Sequence, residues 1–154
     1  MIHGRSYEEG FTSEVSWDEL KKIRKSFDGI ILANGGIDSF ETAQKALKNS
    51  GADGLGLARG TWGKPWLFEE IKCGLENNPA PRRVQGENHI KPKSWNEIKK
   101  IILKHAKLVD KNELYFIEFR KHLLWYVKGL PNAGELRKLF IKIENSEELR
   151  NFLN

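Results

Sequence analysis

Two short glycine-bearing segments carry the chemistry this sequence could perform. Asn34-Gly35-Gly36 ends the apolar run Gly29-Ile30-Ile31-Leu32-Ala33, and Arg59-Gly60 follows Gly54-Leu55-Gly56-Leu57-Ala58 directly. Glycine lets a backbone approach a ligand closely and turn its N–H groups toward an anion. An arginine beside it adds a bidentate phosphate donor. The alternative is that both glycine sets are ordinary turns. His3-Gly4-Arg5 follows Met1-Ile2, the end of what reads as a preceding strand. A His and an Arg placed there can reach a cofactor ring or a phosphate, although a purely structural His remains open.

Other chemistries find no support. There is no GxxxxGK[ST], GxGxxG or HExxH pattern. His89 and His105 lack metal-ligand spacing to any Cys, Asp or Glu cluster, so no metal site is expected. The single cysteine, Cys73, follows Ile71 and Lys72 on a helical stretch with no base nearby. It reads as a half-buried structural thiol rather than a nucleophile. Farther along, Arg120-Lys121-His122 precedes Trp125, Tyr126 and Lys128. Leu123, Leu124 and Val127 would face a core while Lys121, Tyr126 and Lys128 face out. Such a surface can bind a phosphate backbone and stack bases. A solvated basic face with Trp125 packed inside is the competing reading.

The elements that must hold these residues fall into three stretches. Residues 1–78 read as alternating strand and helix. Trp17–Ser26 is an amphipathic helix with Leu20 and Ile23 on one face; Ser16 would cap it in a capping box with Glu19. The run 29–33 reads as a strand buried on both faces of a parallel sheet. Ser39 caps a helix bearing Ala43, Ala46 and Leu47, closed by Gly51-Ala52-Asp53, and 54–58 is the next strand. This order implies a parallel α/β sheet with ligand loops at the carboxyl ends of its strands, the arrangement in which barrel loops form a phosphate site. Two strands cannot bury two apolar faces alone, so neighbours are expected from elsewhere. Residues 79–94, rich in Pro, Arg, Asn and Lys, read as a linker. Residues 95–154 read as a small helical bundle: a helix with Ile98, Ile101, Ile102, His105 and Leu108, then Leu114–Val127 closed by Gly129 and Pro131, then Glu135–Ile143, then a short helix capped by Ser146.

Composition sets the outer limits. The 154 residues suit one ordinary domain or two small ones, and 39% hydrophobic with 31% charged content is globular rather than disordered. The net charge of +5 favours a polyanionic partner without specifying one. One cysteine allows no internal disulfide and suits a reducing, cytoplasmic setting. No opening apolar region and no membrane-length apolar run are present, so no membrane partner is expected.

Taken in order, His3-Gly4-Arg5, Asn34-Gly35-Gly36-Ile37, Gly51-Ala52-Asp53-Gly54, Ala58-Arg59-Gly60, Gly63-Lys64-Pro65-Trp66-Leu67-Phe68 and Arg120-Lys121-His122 through Trp125-Tyr126 closely resemble the tRNA-dihydrouridine synthase family, in particular its bacterial members. The resemblance covers nearly the whole chain. It implies a TIM barrel holding FMN, followed by a helical domain that grips tRNA. In that family NADPH reduces the flavin, which passes hydride to C6 of a uridine, and a cysteine acid protonates C5; the uridine must leave its stack.

Carried onto this chain, the resemblance implies a partial barrel (the end of strand 6, then strands 7 and 8) over 1–78 and a tRNA-binding bundle over 95–154. His3 would lie against the flavin. Asn34, Gly35 and Gly36 would hold the ribityl phosphate, completed by Ala58 and Arg59. Arg5 would sit near flavin or substrate, and Lys121, His122 and Tyr126 on the tRNA face. No catalytic residue is expected here, because the family's acid cysteine belongs to earlier strands and Cys73 lies after strand 8. Ala58 stands where glycine is common, and Ser6-Tyr7-Glu8-Glu9 is not the commonest continuation after Arg5. The resemblance thus implies half of a flavin site, inactive alone, from a truncated chain or from a split enzyme whose partner chain supplies the first half-barrel. A non-catalytic RNA-binding module and another FMN-binding barrel oxidoreductase are the other readings.

Overall fold

The computed structural model describes residues 1–6, 8, 13–77 and 93–154. Among them are seven α-helices and a three-stranded parallel sheet, an α/β architecture. The chain divides into two compact units, Met1–Thr61 with Pro65–Asn88, and Trp62–Lys64 with His89–Asn154. Of the expected linker, residues 79–92 lie outside the described residues.

In the first unit, β1 (Ile2–His3), β2 (Leu32–Asn34) and β3 (Gly54–Gly56) lie in chain order, all parallel. Asn34 is in register with His3 on one side and Gly56 on the other, so all three strands end at the same level. Helices α1 (Trp17–Ser26) and α2 (Phe40–Ser50) connect successive strands, and α3 (Leu67–Asn77) follows β3. A single 3-10 turn, Arg59–Thr61, follows β3. The core beneath the sheet is Ile37, Ala43, Ala46, Leu67 and Ile71, with Leu55 and Leu57 packed on it.

The expected two-sided burial of 29–33 is corrected. Ile31 and Ala33 are 2% and 0% exposed, but Ile30 and Leu32 are 79% and 36% exposed. Side chains alternate across a strand, and helices cover one face only. Leu32 lies over Gly54 and Met1 over Gly56, where a Cβ on either glycine would crowd them. The other face thus keeps an apolar surface in water.

Local signals behave unevenly. Ser39 caps α2 as expected, its hydroxyl accepting from Thr42 N–H while Thr42 reaches back, and Gly51 closes the helix at φ 66 with its N–H on Leu47 O. Ser16 makes no side-chain cap; instead its N–H donates to Gly4 O at 2.7 Å, and Glu19 pairs with Lys22. A tertiary backbone bond holds the entry to α1. Asp53 does similar work: its carboxylate accepts from Ile31 N–H at 2.7 Å and from Arg24 at 2.9 Å, tying β2, the loop before β3 and α1 together.

The second unit is helical: α4 (Trp95–Lys111), α5 (Phe116–Tyr126), α6 (Ala133–Phe140) and α7 (Ser146–Leu153). Ile98, Ile102, Ala106 and Val109 form the buried stripe of α4, and Phe119, Leu123, Val127, Phe140 and Leu149 are buried in the rest of the unit, with Leu136, Ile143 and Leu153. Leu108, which follows the same helical spacing, is 49% exposed. Ser94 and Glu97 form a reciprocal capping box for α4. Asn145, not Ser146, caps α7, accepting from the N–H groups of Glu147 and Glu148. The Ser146 hydroxyl is turned to Asp110 at 2.7 Å, so a competing side-chain partner moved the cap by one residue.

Candidate cofactor-phosphate site and helical basic face

The carboxyl ends of the strands gather most of the residues singled out above. Gly35 and Gly36 take φ 120 and 62, conformations that side chains resist, and form the turn after β2. His3 Nε2 lies 3.3 Å from where a Cβ on Gly35 would stand, and Arg5 Nη2 3.5 Å from the same point on Gly36. Both side chains therefore converge on one turn. Arg5 Nε donates to Ser13 O at 2.6 Å, which holds the guanidinium in place. His3 Nδ1 lies 3.2 Å from Arg5 N. The Arg5 carbonyl oxygen lies at the same distance, so the ring is held against the Arg5 backbone by Nδ1 and turns Nε2 toward Gly35.

The second loop docks on the first. A Cβ on Gly60 would overlap the carbonyl oxygen of Ile37 and touch Asp38 Cα at 3.0 Å, so the Arg59–Thr61 turn rests directly on the backbone after Gly36. The Ala58 carbonyl accepts from Thr61 N–H and hydroxyl, at 3.0 and 2.7 Å, which shapes this turn. Ala58 and Arg59 are exposed at its start. Asn34 is buried, and its side-chain amide donates to Gly56 O at 2.7 Å. That amide stitches β2 to β3, and the Asn34 carbonyl accepts from Gly4 N–H at 2.9 Å, so Asn34 ties the ends of all three strands together. Val15 was not foreseen: it packs on Gly35 and Gly36 and closes on Gly4. Nothing local to Val15 marks it, because the contact depends on the chain returning past β1.

In the helical unit the expected outward face is partly inverted. Lys121 is exposed and paired with Glu118 at 2.6 Å. His122 is half-buried, its ring 5.4 Å from that of His105. Tyr126, expected to face out, is 5% exposed, whereas Trp125 is 38% exposed. The Tyr126 hydroxyl lies 3.1 Å from His105 Nδ1, and burial pushes its pKa up to about 12. Burial, with repulsion from His122, holds His105 below the ordinary histidine value. Arg120 donates to Ile141 O at 2.8 Å, closing the end of α6. Cys73, expected half-buried, is exposed. No group of three or more His, Cys, Asp or Glu suited to a metal occurs among the described residues, and no described helix is long and apolar enough to cross a membrane.

The dihydrouridine synthase family profile matches residues 1–154. The tRNA-dihydrouridine synthase B of Pseudomonas syringae pv. tomato is 34% identical over 149 residues, covering 95% of this chain and 42% of that protein. A probable tRNA-dihydrouridine synthase of Rickettsia conorii is 32% identical over 88% of this chain and 39% of its own length. One from Mycobacterium leprae is 28% identical over 99% of this chain and 38% of its own. The chain therefore spans about two fifths of the length of these relatives. A profile matched from the first residue to the last, with relatives up to 34% identical over nearly the whole chain, places the chain in the dihydrouridine synthase family.

Proposed function

We propose that the chain supplies the phosphate-binding side of an FMN site, and a tRNA-binding helical unit, in a flavin-dependent tRNA-dihydrouridine synthase. On this reading β1, β2 and β3 are the last three strands of a (β/α)₈ barrel, and the apolar face of Ile30 and Leu32 lines its interior. The observation that carries the reading is the seating of Gly60 on Ile37, which joins two loops at the level where three parallel strands end.

The donor set suits a phosphate monoester. The Gly35-Gly36 turn can offer backbone N–H groups to an anion, and Arg59 brings guanidinium charge. His3 offers an imidazole at the edge of the same turn. Bound FMN, reduced by NADPH, would supply the hydride for C6 of uridine. The chain's own residues bind and orient: Gly35, Gly36, Ala58 and Arg59 hold the phosphate, and His3 and Arg5 border the ring and substrate side. Tyr126 acts from inside, fixing α5 so that Lys121 and His122 stand toward RNA. The acid that protonates C5 is assigned to the portion of the family's barrel outside these 154 residues, and the chain alone is expected to be inactive.

The test is a flavin-fluorescence titration with FMN and with riboflavin, which lacks the phosphate. FMN should bind at least about tenfold tighter, since a charge-assisted bidentate contact exceeds about 1.4 kcal/mol. Gly36→Val and Arg59→Ala should each erase the difference. Equal affinity of the two flavins for the wild-type chain would refute the phosphate site.

A further inference from the structure

Trp62 and Trp125 pack together without being sheltered. Their ring centroids are 5.1 Å apart with planes inclined by 56°, yet Trp62 is 43% and Trp125 38% exposed. The pairing is built into the unit. Gly63, at φ 74, lies so close to the backbone of Trp125 that a Cβ would overlap its carbonyl group. Tyr126, the next residue, is anchored inside on His105. Trp125 is thus held from both sides, and the Trp62–Lys64 segment is clamped to the end of α5.

The surroundings are cationic. Lys128 places its ammonium 5.7 Å from the centroid of Trp125, and both Lys128 and Lys64 are exposed. Charge is also unevenly divided along the chain. Residues 93–154 hold thirteen Lys and Arg against eight Asp and Glu, while residues 1–77 hold ten against twelve. The positive balance therefore lies with Trp125 and Lys128, in the unit to which the Trp62–Lys64 segment also belongs. Two wide indole surfaces left in water select a flat partner, and the ammonium groups select an anion. A nucleotide in an unpaired strand is both. An acidic peptide satisfies the charge but offers no flat face.

We propose that Trp62 and Trp125 form a stacking site for an unpaired base of an RNA strand, with Lys128 and Lys64 on the flanking phosphates. Trp125, flanked by Trp62 and Lys128, is the post, and Trp62 presents the stacking surface. The inference rests on the reading of the helical unit as RNA-binding.

The test uses the full 154-residue chain and two labelled strands: an oligouridylate of about ten nucleotides, within the usual single-strand site size, and the same backbone with every base removed. The wild-type chain should bind the strand with bases about tenfold tighter. Trp62→Leu should equalise the two strands and leave the salt dependence unchanged. Lys128→Ala should keep the preference for bases and lower the salt slope by about one. Equal binding of both strands by the wild-type chain, with affinity for RNA intact, overturns the stacking site, assigns the indoles to a protein contact and leaves the RNA-binding reading standing. No binding of either strand or of a tRNA transcript overturns both. The decisive comparison uses the unaltered protein, so a Trp62→Leu chain that fails to fold leaves the test valid, with Trp62→Phe as the milder variant.

Discussion

The hydroxyl of Tyr126 on α5 and Nδ1 of His105 on α4 are 3.1 Å apart, so the two longest helices of the basic unit meet through a hydrogen bond between an imidazole and a phenol. Phe119 and His122 also face the imidazole, at 4.6 and 5.4 Å between ring centroids. Burial disfavours the charged ring, and His105 titrates below 6.5 in the folded state. The unfolded chain then binds the extra proton first. Stability is full above the ordinary histidine value and is lost as pH falls from there through the depressed folded value. The melting temperature of the helical unit should drop between about pH 7.5 and about pH 5. His105→Gln should flatten that part of the profile. An unchanged slope in the variant would remove His105 as its cause. Tyr126→Phe should cost about 1 kcal/mol at neutral pH, measured by urea denaturation.

Gly60 has no room for a methyl group, because the carbonyl of Ile37 occupies the space. Gly60→Ala should push the two ligand loops apart at a cost of roughly 1–3 kcal/mol in stability. It should also lower FMN affinity more than riboflavin affinity, since the phosphate alone needs both loops. Flavin titration of the variant checks this; an equal loss for both flavins would mean that the loops do not share the phosphate.

Gly74 in α3 inverts the usual rule for helices. Glycine in a helix interior normally gains about 1 kcal/mol on replacement by alanine. Here the new Cβ would overlap Cδ2 and Cε2 of the Phe40 ring at the start of α2 and press on its Cγ at 3.0 Å, so the whole ring edge must move. Gly74→Ala should therefore destabilise the α/β unit. The double variant Gly74→Ala with Phe40→Leu should recover part of the loss in chemical denaturation.

Asp53 shows which of its two partners matters. Its carboxyl titrates below the ordinary carboxylate value, first because Ile31 N–H donates to it and then because of Arg24. Its contribution is present above 3.8 and disappears as pH falls through the lowered folded value. Asp53→Ala should lower the melting temperature at pH 7 more than Asp53→Asn, whose amide oxygen can still accept from Ile31 N–H. The ion pair with Arg24 is partly exposed, and salt should reduce its share.

Family membership and the local signals were legible in the residues alone. Ser39 and Gly51 bound α2 as their types suggest, because a cap is completed within three or four residues of the group it serves, whereas Ser16 and Ser146 are drawn to other partners and Ser94 with Glu97 opens α4 where the sequence reads only as a linker end. The glycine loops were visible for the same reason: conformations such as those of Gly35 and Gly36 are demands that one residue type meets. Tertiary contacts decided the rest. An unbroken apolar run does not say which side of a strand is covered, and only the helices under the sheet separate Ile31 and Ala33 from Ile30 and Leu32. Trp125 and Tyr126 are adjacent on a helix near the edge of its buried face. Which one turned inward was settled by His105 on another helix and by the close approach of Gly63 to Trp125, contacts between residues distant in sequence. Gly60 on Ile37, which joins the two glycine loops, is of the same kind. Spacing along a chain identifies the groups present, while their meeting depends on how the backbone returns past itself.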